Sequence, residues 1–377
     1  MRILADVRLL SRGGSSGIEE YTRNILRELL FIDKNNKYSF FYNGLRKEPL
    51  DFLTDKGSEV IDWRIPNKIF DFSSRFLNFP AMDKYIKTDL VFSPHFNILK
   101  TAHAPRVITF HDLSFLHHPY FFSRRQRFWH WTQDIKRQAR EAAKIIAVSE
   151  FTKSDLINLL GVLEEKIKVV YSGISINKSP QSKIATLPSV ARNDVPYTPY
   201  PKPYILYLGT LEPRKNIPAL IRAFNILKQS PDFKDWQLVL AGRPGWLYHN
   251  ISREAAASPF SKDIIFRGAV SQEDKISLYN LAKVFVYPSF FEGFGFPPLE
   301  AQASGCPVVA ADRTSLPEIL GESALLVNPW KVEDLAGAIK EAALNSGLRE
   351  KLITAGFANA KRFSWGKAAR ETLEVFK

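Results

Sequence analysis

The segment Glu292-Gly293-Phe294-Gly295-Phe296-Pro297-Pro298-Leu299-Glu300 sets two carboxylates on either side of seven residues that include two glycines and two prolines. Gly293 and Gly295 permit a tight loop whose backbone amides, with that of Phe294, can turn toward a ligand. Paired prolines suit the opening of a helix. Glu292 is expected on the loop, facing a sugar. Glu300 is expected in the first helical turn, where a carboxylate can accept both hydroxyls of a ribose. A helix-entry loop with acids placed near the dipole is the bland alternative. A second segment, Gly209-Thr210-Leu211-Glu212-Pro213-Arg214-Lys215-Asn216, ends a strand and opens a helix. Arg214 and Lys215 there put two cations beside a helix N-terminus, so dipole and charge act in the same sense on a diphosphate. A solvated basic turn is its alternative.

Two more segments belong with these. Ser11-Arg12-Gly13-Gly14-Ser15-Ser16-Gly17 lies between a strand and a helix. Its glycines let backbone amides approach an anion at the helix start, although the spacing is neither a Walker loop nor a dinucleotide fingerprint. Phe110-His111-Asp112 ends a strand, the place where ligands bind in open α/β sheets. Asp112 alternatively caps the next turn. The chain has no Asp-x-Asp pair, and no His, Cys and carboxylate residues stand at metal-ligand spacing. No metal and no cofactor are therefore expected.

The elements that must position these residues alternate regularly. Strands are predicted at residues 2–7, 89–93, 106–110, 144–149 and 168–172, with helices at 18–30 and 124–144. Beyond them come strands at 204–209, 236–241, 263–268, 284–288, 307–311 and 324–328, with helices at 216–228, 272–282, 298–304, 332–343 and 348–363. Such a rhythm implies parallel sheets with helices on both faces. Residues 177–203, rich in Pro, Ser, Thr and Lys and without periodicity, read as a linker. It separates an N-terminal domain (1–176) from a C-terminal domain (204–363), with a cleft expected between the two sets of strand ends.

The length of 377 residues suits two domains, and 45% hydrophobic residues supply a core for each. The single cysteine, Cys306, lies in an apolar stretch and reads as a core residue. Asp6 and Arg8 interrupt any apolar N-terminal run, and no run is long enough to span a bilayer, so a cytoplasmic protein is expected. The net charge of +13 leaves nucleic acid, an anionic membrane or a polyanionic ligand as partners. No helix-turn-helix, zinc finger or RNA-recognition signature supports nucleic acid, which is not expected as a partner.

Taken together, the residues resemble the retaining GT-B glycosyltransferases called family four, or glycosyl transferases group 1. The resemblance runs over nearly the whole chain. It rests on Gly13–Gly17, His111-Asp112, Val148-Ser149-Glu150-Phe151-Thr152, Gly209–Asn216, Tyr287-Pro288-Ser289 and the Glu292-to-Glu300 motif continued through Ala303-Ser304-Gly305-Cys306-Pro307-Val308-Val309. It implies an α/β GT-B fold: two Rossmann-like, doubly wound parallel-sheet domains facing a central cleft. A final helix at 364–377 would return to the first domain.

By the same resemblance, Gly14 and Gly17 flank the donor phosphate and sugar, and His111 lies beside the transferred sugar. Gly209 shapes the loop in which Arg214 and Lys215 bind the diphosphate. Glu292 contacts sugar hydroxyls, the amides of Gly293, Phe294 and Gly295 approach the sugar or phosphate, and Glu300 holds the ribose. The base passes near Arg267 and Val270. Many relatives carry an arginine where this chain has Thr210, so Arg214 would take on more of that work. The implied reaction is transfer with retention, without a metal, in which a donor phosphate oxygen takes the acceptor proton.

The form Gly-Thr-Leu-Glu-Pro-Arg-Lys-Asn is similar to bacterial mannosyltransferases of O-antigen, lipopolysaccharide and capsule assembly, which favours GDP-mannose as the nucleotide-diphosphate sugar. The acceptor would be a glycan or lipid-linked sugar. Basic and aromatic residues at 70–79 and 120–140 could rest on an anionic membrane surface, giving a peripheral place on the inner face of the cytoplasmic membrane. An ordinary amphipathic helix is the alternative there. Two other functions on the same fold stay open: a nucleotide-sugar epimerase, and a catalytically silent nucleotide- or glycan-binding module. A sugar phosphorylase would need a pyridoxal-phosphate lysine that nothing in the sequence singles out.

Overall fold

The computed structural model describes residues 1–12, 16–44, 50–54, 58–175, 200 and 202–377. Most of the expected linker, residues 177–199 and 201, lies outside the described residues. The chain divides into two compact units, Met1–Gly173 with Phe363–Lys377, and Ile174–Arg362.

The first unit is built on seven parallel strands: β1 (Arg2–Asp6), β2 (Lys37–Tyr42), β3 (Glu59–Asp62), β4 (Leu90–Ser93), β5 (Arg106–Phe110), β6 (Lys144–Ala147) and β7 (Ile167–Val169), in the order β3-β2-β1-β4-β5-β6-β7. Ile3 on β1 pairs with Tyr38 on one side and Leu90 on the other. Ile3, Leu4 and Ala5 are all buried, as expected of a central parallel strand covered on both faces. The helix Gly17–Ile32 starts at Ser16, whose hydroxyl accepts from the Glu19 amide while the Glu19 carboxylate accepts from the Ser16 amide. This capping box closes the glycine segment with a fixed helix start. The C-terminal helix Trp365–Val375 lies on the same unit. Trp365 meets Tyr21 edge-on at 5.8 Å and Phe376 meets Phe92 at 5.1 Å.

Two departures from the expected elements have clear causes. The helix expected over 124–144 is two helices, Arg124–Thr132 and Ile135–Glu141, broken at Asp134 with φ 49°. Aspartate tolerates the left-handed conformation, and its carboxylate is tied to Arg75. The strands β2 and β3 were not expected. β2 is Lys-Tyr-Ser-Phe-Phe-Tyr, with aromatic residues in place of the β-branched run that marks the others, and β3 is a four-residue edge strand.

The second unit has six parallel strands: β8 (Tyr204–Leu208), β9 (Gln237–Ala241), β10 (Ile264–Gly268), β11 (Val284–Tyr287), β12 (Val308–Ala311) and β13 (Leu325–Val327), ordered β10-β9-β8-β11-β12-β13. Ile205 on β8 pairs with Leu238 on β9 and with Val284 on β11. The strand order runs outward in both directions from β8 and β11, so the topological switch point falls between them. Helices Ile217–Leu227, Gln272–Leu281 and Phe296–Ala303 follow β8, β10 and β11. Cys306 is buried, and burial pushes its thiol up to about 12, consistent with a core role. Among the described residues, no helix is long and apolar enough to cross a membrane.

Candidate active site

The loops that leave β8 and β11 flank the switch point of the second unit, and they carry the two most informative segments of the sequence. After β8, Leu211 bonds back to Arg243 and Gly245, and Pro213–Lys215 forms a tight turn. Asn216 adopts φ 54° and opens the helix Ile217–Leu227, its side-chain amide donating to the Pro329 carbonyl at 2.7 Å. After β11, the loop reaches Gly295, whose φ of 104° suits glycine, and the helix begins at Phe296. Glu300 therefore lies in the second turn of this helix, one turn later than expected, because Gly295 starts the helix ahead of the two prolines.

These loops bring Arg214, Lys215 and Glu292 together. Lys215 Nζ donates to Glu292 Oε1 at 2.5 Å and to the Tyr287 hydroxyl at 2.7 Å. Arg214 reaches Glu292 Oε2 at 3.3 Å, the Phe291 carbonyl at 2.7 Å and Glu212 Oε1 at 2.9 Å. The cations expected beside the helix thus stand against two carboxylates of the same unit. Lys215 and Glu292 are both buried. Burial raises the Glu292 pKa, but the charges of Lys215 and then Arg214 outweigh it and hold the carboxylate below its usual range. Burial, with the Arg214 charge, draws the Lys215 ammonium below its ordinary value. An ammonium carries three donors. Two of those of Lys215 are used among the described residues, on Glu292 and Tyr287.

The floor beneath the cluster is aromatic. Tyr207 and Tyr287 stack at 6.0 Å, both buried, and the Tyr207 hydroxyl donates to the Thr210 carbonyl at 3.1 Å. The Glu292 loop is pinned from outside: Thr314 Oγ1 accepts from the Glu292 amide at 3.0 Å, and Ser315 Oγ donates to the carbonyls of Glu292 and Phe294. Phe294 itself is buried. Glu300 has separate partners, the Lys275 ammonium and the Tyr279 hydroxyl, the latter at 3.0 Å. Arg267 is exposed at the end of β10, 3.4 Å from Asp274, and Val270 follows in the loop before Gln272–Leu281. Gly209 directly follows β8, its amide donating to the Ala241 carbonyl. No three His, Cys, Asp or Glu side chains among the described residues converge on one point.

The first half of the chain matches the profile of Glycosyltransferase Family 4 over residues 15–178, and the second half matches Glycosyl transferases group 1 over residues 195–358. The O-antigen chain mannosyltransferase B of Escherichia coli is 32% identical over 271 residues, covering 72% of this chain and 70% of that protein. The chain is a family-four glycosyltransferase. Its fold is GT-B, as in the sucrose-phosphate synthase of Thermosynechococcus elongatus, which superimposes with a TM-score of 0.74 at 18% identity over 100% of this chain and 98% of that one. HepE of Anabaena, solved with UDP and glucose, superimposes with a TM-score of 0.71 at 20% identity, over 100% and 99% of the two chains.

In the first unit of the glycosyltransferase, Gly14 lies outside the described residues, and Gly17 is the first residue of the helix Gly17–Ile32. His111 follows β5 and is buried. Its Nε2 is 2.8 Å from the Pro94 carbonyl and its ring meets Tyr21 edge-on at 4.6 Å. Asp112 accepts from the Ser114 amide and hydroxyl, as a turn cap does. Sequence reasoning missed Glu212, Tyr207, Lys275, Tyr279 and Ser315. Glu212 alone carried a signal, since it lies in the same motif as the cations it pairs with.

Burial lowers the His111 pKa to about 4. Below its unfolded value near 6.5, the unfolded chain takes up a proton that the folded chain refuses. Stability is therefore lost as pH falls from about 6.5 and levels off below about 4. Between pH 7 and 5, His111 alone is expected to cost the first unit about 2 kcal/mol. Melting curves at the two pH values check this: His111→Asn should remove about that part of the difference, while the part due to His130, whose pKa burial also lowers to about 4, should remain.

Proposed function

We propose that this glycosyltransferase moves a hexose from a nucleotide-diphosphate sugar to a glycan or lipid-linked acceptor in the assembly of cell-surface polysaccharide, with mannose as the sugar and GDP-mannose as the donor. The observation that carries this reading is the Arg214–Lys215–Glu292 cluster at the ends of the two strands flanking the switch point. The 32% identity to an O-antigen mannosyltransferase supports the choice of sugar.

In this reading the diphosphate accepts a hydrogen bond from Lys215 and shares Arg214, at the N-terminus of Ile217–Leu227, where the helix dipole also favours an anion. As the bond between the anomeric carbon and the phosphate oxygen breaks, negative charge grows on the diphosphate, and the buried Lys215 and half-buried Arg214 stabilise it without reorganising. The acceptor oxygen bonds to the anomeric carbon on the face the phosphate leaves, and its proton passes to a donor phosphate oxygen. Configuration is retained and no metal takes part. Glu292 holds both cations in place and accepts from sugar hydroxyls with its unused lone pairs. The loop amides of Gly293, Phe294 and Gly295 add donors to the sugar or phosphate. Glu300 takes the ribose hydroxyls, and Arg267 and Val270 border the base.

A thermal-shift panel of GDP, UDP, ADP and dTDP, with and without magnesium, tests the donor class. GDP should raise the melting temperature of the full chain, metal or not, because a ligand that binds only the folded state stabilises it by mass action. A larger shift with UDP would overturn GDP-mannose, and no shift with any of them would overturn the donor site. Glu300→Ala should weaken the selected nucleotide about ten- to hundredfold, the worth of hydrogen bonds to a charged group. NMR of the product's anomeric proton checks retention.

A further inference from the structure

The second unit holds one aromatic ring in place and leaves it open to solvent. Trp330 follows β13 in the loop Asn328-Pro329-Trp330-Lys331. At 64% exposure it is the most exposed large apolar side chain among the described residues of this unit. One face of its indole stacks on the half-buried Phe290, at 4.1 Å and 29° between planes. The loop beneath it is pinned. The Trp330 amide donates to Asn328 Oδ1 at 3.0 Å, the Lys331 amide donates to the Asn328 carbonyl at 3.0 Å, and the Asn216 side chain holds the Pro329 carbonyl at 2.7 Å. A ring fixed in advance loses little freedom when a ligand lands on it.

This platform is continuous with the cation cluster. Phe290 donates its amide to the Arg214 carbonyl at 2.9 Å, and Arg214 donates to the Phe291 carbonyl at 2.7 Å. Its place along the sheet decides what it can meet. β10 and β13 are the two edges of the six strands, with β8 and β11 between them. Arg267, which borders the base in the donor reading, is on the β10 edge, whereas Trp330 stands past the carboxyl end of the opposite edge. β13 lies two strands beyond β11, or about 10 Å. A donor that runs from β10 to the cluster ends short of Trp330, and beyond its sugar comes the acceptor.

The chemistry of the patch suits a sugar ring. A pyranose has a face of C–H groups with partial positive charge and a rim of hydroxyls. The negative face of an indole attracts the first. Asp312 and Arg313 supply an acceptor and donors for the second. Both are exposed and pair at 3.1 Å at the end of β12, where the Asp312 amide donates to the Val327 carbonyl at the end of β13.

We propose that Trp330, seated on Phe290, stacks against a pyranose ring of the acceptor glycan, beyond the sugar that receives the hexose, with Asp312 and Arg313 on its hydroxyls. The platform makes the enzyme favour an acceptor of several sugars over a monosaccharide. The proposal rests on the reading of a nucleotide-sugar donor and a glycan acceptor, and its test separates the two.

The full chain, saturated with GDP or whichever nucleotide the thermal panel selects, is titrated with mono-, di- and trisaccharides of mannose, glucose, galactose and N-acetylglucosamine, with binding read by saturation-transfer NMR. At least one trisaccharide should bind tenfold or more tightly than its monosaccharide. Trp330→Ala should weaken that trisaccharide about tenfold, the usual effect of truncating a tryptophan that anchors a contact. Trp330→Phe should keep most of the affinity. Nucleotide affinity and melting temperature should not change, and in transfer assays the acceptor KM should rise while kcat stays near its parent value. Binding of no oligosaccharide, or undiminished trisaccharide binding by Trp330→Ala, overturns the platform while nucleotide binding leaves the transferase reading standing. Weaker nucleotide binding by Trp330→Ala would assign the ring to the donor and overturn the proposal. A chain that binds no nucleotide overturns the donor reading and this proposal with it.

Discussion

Lys215→Met is expected to lower kcat/KM about a hundred- to a thousandfold, the usual effect of removing one preorganised donor to developing charge. It should also cost about 3–5 kcal/mol of stability, because Glu292 is left buried with only the more distant Arg214. The two effects separate in a double variant. With Lys215→Met and Glu292→Leu together, no unpaired charge remains buried, and much of the stability should return. Activity should not, since neither apolar side chain can hold a diphosphate. Melting curves and steady-state transfer rates on the three proteins decide it. Recovery of both stability and activity would make the pair a structural ion pair and nothing more.

The second large effect is on folding. Gly242 directly follows β9 with φ 141°, and a Cβ built there would lie 1.9 Å from the Gly209 carbonyl oxygen. The atoms it would meet are backbone, so no flexible side chain can yield. Gly242→Ala is expected to cost about 3 kcal/mol or more, combining an unfavourable backbone conformation with overpacking. For a unit of this size the melting temperature should drop by roughly 6–12 °C. Because Gly209 opens the loop that carries Arg214 and Lys215, nucleotide affinity should fall with it. A normal melting temperature for Gly242→Ala would show that the β8 and β9 ends have room to separate.

Much of this fold can be read from one dimension because central parallel strands are buried on both faces and appear as unbroken apolar runs. Ile205-Leu206-Tyr207-Leu208 and Val308-Val309-Ala310-Ala311 are such runs, and they are strands in the structure. Edge and aromatic strands such as β3 and β2 lack the pattern. The break at Asp134 was hidden because helical periodicity continues through a single residue in the left-handed region. The site divides along similar lines. The residue types of Arg214, Lys215 and Glu292 pointed to anion and sugar chemistry, but their mutual pairing joins positions nearly eighty residues apart. Such pairing depends on β8 and β11 being neighbours, and strand order is a tertiary property. The same holds for Lys275 and Tyr279, which meet Glu300 only because two helices pack side by side. On the first unit, sequence reading found both basic aromatic stretches, but their merging into one row of rings is visible only in three dimensions.

The central claim is that the second unit holds a nucleotide diphosphate through Arg214, Lys215 and Glu300. A crystal structure of the chain with GDP, or with whichever nucleotide the thermal panel selects, tests it most directly. The account predicts phosphate oxygens within hydrogen-bonding distance of Lys215 Nζ and the Arg214 guanidinium, and the ribose hydroxyls on the Glu300 carboxylate. A nucleotide bound elsewhere, with Lys215 still closed on Glu292 and Tyr287 and no ligand atom near it, would contradict it.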